Sequence, residues 1–115
     1  MKRGDVYWAH LWPRSGSEQA GKRPVVVVSN DSFNHHENWR SIIIIPLTTS
    51  AKQAVRGPTA ISIPKGIADL KKEGVALCHQ ITTIDRSKLT DLIGHLPKDY
   101  LEKIEEGLKI AVDMF

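Results

Sequence analysis

Long apolar runs are missing from this chain. Nowhere in its 115 residues does an apolar stretch approach the roughly 20 residues a membrane-crossing helix needs. The opening Met1-Lys2-Arg3-Gly4-Asp5 has no apolar stretch behind its charges, so no secretory signal is expected. A single cysteine, Cys78, excludes an internal disulfide and fits a reducing, cytoplasmic setting. It reads as a buried small hydrophobe, not as a nucleophile. His35 and His36 are adjacent but lack a Cys/His/Asp set at metal-ligand spacing, so no metal site is expected. Linkers, repeats and low-complexity tracts are also absent. Residues 1–115 are expected to form one domain.

What is present fits a folded protein: 41% hydrophobic and 25% charged residues. A core of this size is often helped by a partner or by dimerisation. The net charge of +3 is uneven. From Lys98 onward three lysines face five acids, a net of −2 that leaves +5 on residues 1–97. A basic body suits a polyanionic partner, although a generic basic surface reads the same way.

Short strands punctuated by Gly, Pro, Asn and Asp are expected over most of the chain. They are Asp5–Ala9, Pro24–Ser29, Ile42–Leu47, Thr59–Ile63, Val75–His79, Ile81–Ile84 and Leu89–Leu96. The unbroken β-branched runs of the second and third predict burial on both faces. Pro46 predicts a bulge or an edge position. Leu11–Lys22 and the segment from Thr48 to about Pro58 read as long loops. Asn30–Arg40 reads as a loop or a short irregular helix, and Asp85–Lys88 as a turn. Leu101, Ile104, Leu108, Ala111, Val112 and Phe115 recur at helical spacing, which predicts a helix over Pro97–Asp113 with Pro97 in its first position. Gly107 inside it costs roughly 1 kcal/mol relative to Ala, which close packing would explain. The expected architecture is mainly β: a small barrel or curled sheet of antiparallel strands with a C-terminal helix.

Four segments in order carry a family likeness: Arg3-Gly4-Asp5-Val6-Tyr7-Trp8, Gly16 to Asp31 (with Lys22-Arg23-Pro24-Val25-Val26 at its centre), Ile45-Pro46-Leu47-Thr48, and Gln80 to Leu89. In these the chain resembles the MazF/PemK toxins of type II toxin–antitoxin systems. The resemblance implies an SH3-like barrel and a homodimer with RNA-cutting grooves at its interface. It implies a sequence-specific endoribonuclease that cuts single-stranded RNA, such as mRNA, without a metal or cofactor, and so inhibits translation and growth. The products would be a 2′,3′-cyclic phosphate and a 5′-hydroxyl. A cognate antitoxin protein would be its partner.

That chemistry needs a deprotonated 2′-hydroxyl, stabilised phosphate charge and a protonated 5′-oxygen. By the resemblance, Arg23 is the catalytic arginine. Its guanidinium fork fits phosphate oxygens, and its pKa, above about 12, suits charge stabilisation better than general-base work. A surface Arg paired with Glu18 is the plain alternative. Thr48 matches the functional threonine, and its hydroxyl can donate to the same phosphate. The alternative is a strand-ending Thr bonded to local backbone.

Ser17, Glu18 and His79 are candidate catalytic or substrate-orienting groups. Some relatives carry His at Ser17 and an acid at His79, and some have Arg at Leu77, so this chain departs from them there. His79 can equally be a structural strand histidine. Gln19, Trp12, Arg14, Lys52, Arg56 and Gln80 are candidate RNA contacts. Trp12 sits in a basic loop where an indole can stack on a base. Trp8 and Trp39 are further stacking candidates, although Trp8 reads more readily as core. Two other functions fit the same architecture: a CcdB-like toxin that binds gyrase without catalysis, and an inactive RNA-binding module. Having both Arg23 and Thr48 favours the nuclease.

Overall fold

The computed structural model describes residues 1–11, 21–49 and 57–114. Seven strands run through them: β1 (Asp5–His10), β2 (Lys22–Val27), β3 (Ser41–Thr48), β4 (Ala60–Ile63), β5 (Gly74–Leu77), β6 (Thr82–Asp85) and β7 (Leu89–His95). Two α-helices, α1 (Asp31–Asn34) and α2 (Lys98–Val112), complete the set. Every pairing among these strands is antiparallel, in the order β4-β5-β3-β2-β1-β7, with β6 also on β3.

The β-branched runs become the two central strands. Val25, Val26 and Val27 on β2, and Ile42, Ile44 and Ile45 on β3, have no exposed surface. Alternation sends them to two cores. Val26, Ile45 and Leu47 join Val6, Ile63, Leu96 and Ile104 of α2 in one. Val25, Val27, Ile42 and Ile44 join Ala9, Leu11 and Ile84 in the other.

β3 serves both halves of the sheet. Its first part, Ser41 to Ile44, pairs with β6. Its last two residues, Leu47 and Thr48, pair with β5. Pro46 falls between these two partners. The expected edge or bulge is therefore corrected: Pro46 is buried within a central strand, opposite Val25. A residue with no N–H to donate is tolerated where one side's ladder is interrupted. Register shifts on the β1–β7 pair, between Val6 and Tyr7 and between Tyr7 and Ala9, bend the sheet.

The helix begins one residue later than expected, with Pro97 as its cap rather than its first residue. Asp99 in the first turn and Lys109 in the last complement the helix dipole. Arg3 ties the N-terminal segment to α2. Its guanidinium donates to Glu105 at 2.8 Å and to the Val28 carbonyl at 3.1 Å. Buried Asp5 accepts from the Lys2 amide at 2.8 Å and pairs with His95 Nδ1 at 2.7 Å. Asn30–Arg40 does contain a short helix, α1. Arg86 gathers carbonyls of the last two residues of α1 and of the segment after it, donating to Phe33, Asn34, His36 and Trp39 at 2.9–3.1 Å.

Most strand ends shift by one or two residues from expectation. β2 starts at Lys22, because the ladder with β1 already pairs Lys22 with His10. β5 stops at Leu77, where Cys78–Gln80 tightens into a 3-10 turn. Cys78 is fully buried, as expected, with its thiol 3.7 Å from the Ile104 carbonyl. Burial pushes that thiol up to about 12.

Gly107 does permit close packing: a Cβ there would lie 2.8 Å from Cys78 Sγ. At Gly94 a Cβ would overlap the backbone carbonyl of Ala68. These two glycines should respond differently to Ala. Gly107→Ala gains about 1 kcal/mol of helix propensity but meets a sulfur, giving a net loss of about 1–2 kcal/mol. Cys78→Ala should relieve that loss. Gly94→Ala meets backbone that cannot step aside, and should cost about 3 kcal/mol or more. Thermal or denaturant unfolding of the three variants checks this order. The buried thiol should resist a disulfide reagent at pH 8 in the folded protein and react at once in denaturant.

Candidate functional site

Arg23 and Thr48 arrive together from different strands. The β2–β3 ladder ends at Val25 and Pro46, and Arg23 and Thr48 each lie two residues beyond it on their strands, at the wall of one cleft. Both lie on the face that buries Val25 and Ile44. Thr48 is only 4% exposed, while Arg23 is half-buried. A guanidinium rooted in one strand and a hydroxyl fixed at the end of its neighbour are thus held by rigid elements.

The end of these two strands opens into a cleft of about 340 Å³. Arg23 and Thr48 contribute to its wall, together with Lys22, Pro24, Leu47 and Thr49 from the same strand ends. The opposite wall comes from the segment before β5, including Leu70, Lys71 and Lys72. This segment turns sharply: Ala68 and Asp69 both adopt left-handed backbone, at φ 53° and 58°. Such conformations are costly for residues with a Cβ and persist only where the surroundings impose them. The turn aims Lys71 and Lys72 at the cleft. Among the described residues, the lining side chains carry four cations, Lys22, Arg23, Lys71 and Lys72, against two acids, Asp69 and Glu73. The local field therefore favours an anion.

Trp8 overturns its assignment to the core. It lies on the cleft and is 37% exposed, whereas Val6 and Ala9 on the same strand are fully buried. The Lys22 ammonium stands 5.4 Å from its ring centroid, a cation–π contact. Trp39 is 43% exposed and stacks on Phe33, with ring centroids 4.4 Å apart. Those two rings sit beyond the opposite ends of β2 and β3 from Arg23 and Thr48.

His79 and Gln80 are not brought to the cleft. Both lie in the 3-10 turn after β5, and His79 Nδ1 is 3.1 Å from the Thr59 hydroxyl. Ser17, Glu18, Gln19, Trp12, Arg14, Lys52 and Arg56 lie outside the described residues. Among the described residues, no three His, Cys, Asp or Glu side chains group as metal ligands would. No described helix is long and apolar enough to cross a membrane. Sequence reasoning missed Lys71 and Lys72. The signal was there: an adjacent basic pair just before the small-apolar run Gly74-Val75-Ala76-Leu77.

Comparison with known proteins supplies the context for this geometry. The chain is 39% identical over 112 residues to "Endoribonuclease EndoA" of Bacillus subtilis (strain 168), covering 97% of this chain and 94% of that protein. Its fold superposes on MazF from Deinococcus radiodurans with a TM-score of 0.81, at 25% identity over 99% of this chain and 97% of the other. A MazE-MazF structure from the same organism matches with a TM-score of 0.76, at 25% identity over 100% and 97% of the two chains. A family profile described as "PemK-like, MazF-like toxin of type II toxin-antitoxin system" matches residues 2–112. From this match, which spans nearly all of its length, the chain belongs to the PemK-like, MazF-like toxin family of type II toxin–antitoxin systems.

Proposed function

We propose that this chain is the toxin of a toxin–antitoxin pair, a sequence-specific endoribonuclease that cuts single-stranded RNA in the cytoplasm. The observation that carries the reading is the meeting of Arg23 and Thr48 at the open end of β2 and β3. The name of the Bacillus subtilis relative, an endoribonuclease, supports it at 39% identity. The whole of residues 1–115 works as one domain in this reading.

The reaction is an internal displacement. The 2′-oxygen forms a bond to phosphorus as its proton passes to a base. The bond from phosphorus to the 5′-oxygen breaks, and that oxygen takes up a proton. The products are a 2′,3′-cyclic phosphate and a 5′-hydroxyl. Charge builds on the non-bridging oxygens during the displacement, and donors already fixed in place stabilise it at little reorganisation cost. Arg23 supplies a charged fork to those oxygens, and Thr48 a hydroxyl donor. No metal is needed for these roles. Glu18 and Ser17 remain the candidates for moving protons, and Gln19, Trp12, Arg14, Lys52 and Arg56 for holding the substrate, while His79 and Gln80, off the cleft, are proposed as contacts to RNA beyond it.

The MazE-MazF structure is, by its name, an assembly of that toxin with MazE, and the same kind of partner, a cognate antitoxin, is proposed for this chain. A homodimer is proposed with it.

Arg23→Ala and Thr48→Ala should each fold normally and cut RNA at least about a hundredfold more slowly, in line with the loss of one preorganised donor. Purified wild type and variants, incubated with a long single-stranded RNA in EDTA and followed by end mapping, test this. Unchanged cutting by either variant removes that residue from the site. Intact RNA with folded, antitoxin-free wild type would sink the nuclease reading. A substrate with one 2′-deoxy sugar at the mapped site should resist cutting there, and continued cutting would refute the cyclising route.

A further inference from the structure

We propose that Trp8 is a stacking platform for one nucleobase of the RNA next to the cut, with Lys71 and Lys72 holding the adjoining phosphate. The inference rests on RNA being the substrate. It assigns the cleft face of the sheet, which is distinct from the face that carries Arg23 and Thr48.

The alternation of β2 makes that distinction. Trp8 pairs with Pro24, and Ala9 pairs with Arg23. Trp8, Pro24 and Leu47 therefore share one face, and Ala9, Arg23 and Thr48 the other. The two faces meet at the strand ends, where Arg23 and Thr48 also reach the cleft wall. The Cα atoms of Trp8 and Arg23 are one strand and one residue apart, about 6 Å from the sheet spacings. A strand of RNA rounding this end would present a phosphate to Arg23 and Thr48 and turn a neighbouring base into the cleft.

The cleft is built for such a base. Its floor is apolar, from Pro24, Leu47, Leu70 and Ile93. An indole 37% exposed in this setting is a large flat surface open to the cleft. Lys22 holds the ring by its cation–π contact and adds charge beside it. At about 340 Å³ the space is at the small end of ligand pockets and suits a single nucleoside, not a helix. Stacking accepts any base, because every base has a π-face. Lys71 and Lys72, both exposed on the facing wall, are placed for the phosphate. An acidic peptide would meet the same lysines, but it would not use a flat ring so fully.

Fluorescence tests this directly. In a Trp12→Phe/Trp39→Phe background, shown by filter retention still to hold the RNA, Trp8 is the sole indole. Titration with a fully 2′-O-methylated single-stranded RNA, which cannot be cut by this route, should quench its emission. Trp8→Leu should weaken binding of that RNA about tenfold and raise KM for cleavable RNA with kcat largely kept, while Trp8→Phe retains most of both. Lys71→Gln/Lys72→Gln should make the plot of log affinity against log salt shallower, by roughly 0.7 for each phosphate no longer neutralised.

An unquenched indole, or equal RNA affinity in wild type and a folded Trp8→Leu, overturns the proposal. So does retained RNA affinity in a folded Trp8→Leu that no longer binds its antitoxin, which would give the cleft to protein. Quenching of the Trp8-only protein, beside a wild type that never cuts RNA, would sink the nuclease reading alone. Cutting with no part played by Trp8 would sink this inference alone.

Discussion

Strand β3 is the constraint from which the rest follows. Its residues Ile42 to Leu47 are almost wholly apolar, and the strand has neighbours along both edges. A strand buried on both faces must satisfy its backbone through the ladder alone, because water does not reach it. β3 does so by holding β2 along one edge and dividing the other between β6 and β5. That division splits the sheet around two cores and leaves Thr48 at the end of the strand, beside Arg23. The placing of Arg23 beside Thr48 is a by-product of how the central strand ends.

The same burial explains what the sequence made legible. Valine and isoleucine runs announced β2 and β3, and apolar spacing announced α2. Both signals are local, so both survive without a structure. Arg23 and Thr48 were legible because a family pattern marks them, not because anything local singles them out. Trp8 was misread for a physical reason. It lies on a strand whose neighbours Val6 and Ala9 are buried, and a period-two pattern cannot tell a covered face from one that ends in a cleft. Pro46 was misread because a proline in a strand points to an edge, and an edge that exists only between two partners cannot be seen locally. Lys71 and Lys72 gained meaning only from the left-handed turn at Ala68 and Asp69.

Charge placement follows a similar logic. The acids of α2 lie on the outer surface of the helix, and one of them, Glu105, is engaged by Arg3. The cations of residues 1–97 include those gathered at the cleft, Lys22, Arg23, Lys71 and Lys72, which come from two separated segments. The net charge of the chain says little about this. Its significance depends on the fold bringing those segments to face each other.

The close approach of Gly94 to Ala68 has a mechanical meaning. With no side chain between them, β7 and the turn that leads to Lys71 and Lys72 are in backbone contact, so neither can shift without the other. Ile93, beside Gly94, and Leu70, two residues after Ala68, both line the cleft. The gap is gauged by two main chains braced against one another. A nucleotide entering it would meet a slot already cut to width, and adjustment would be left to the lysine tips at its rim.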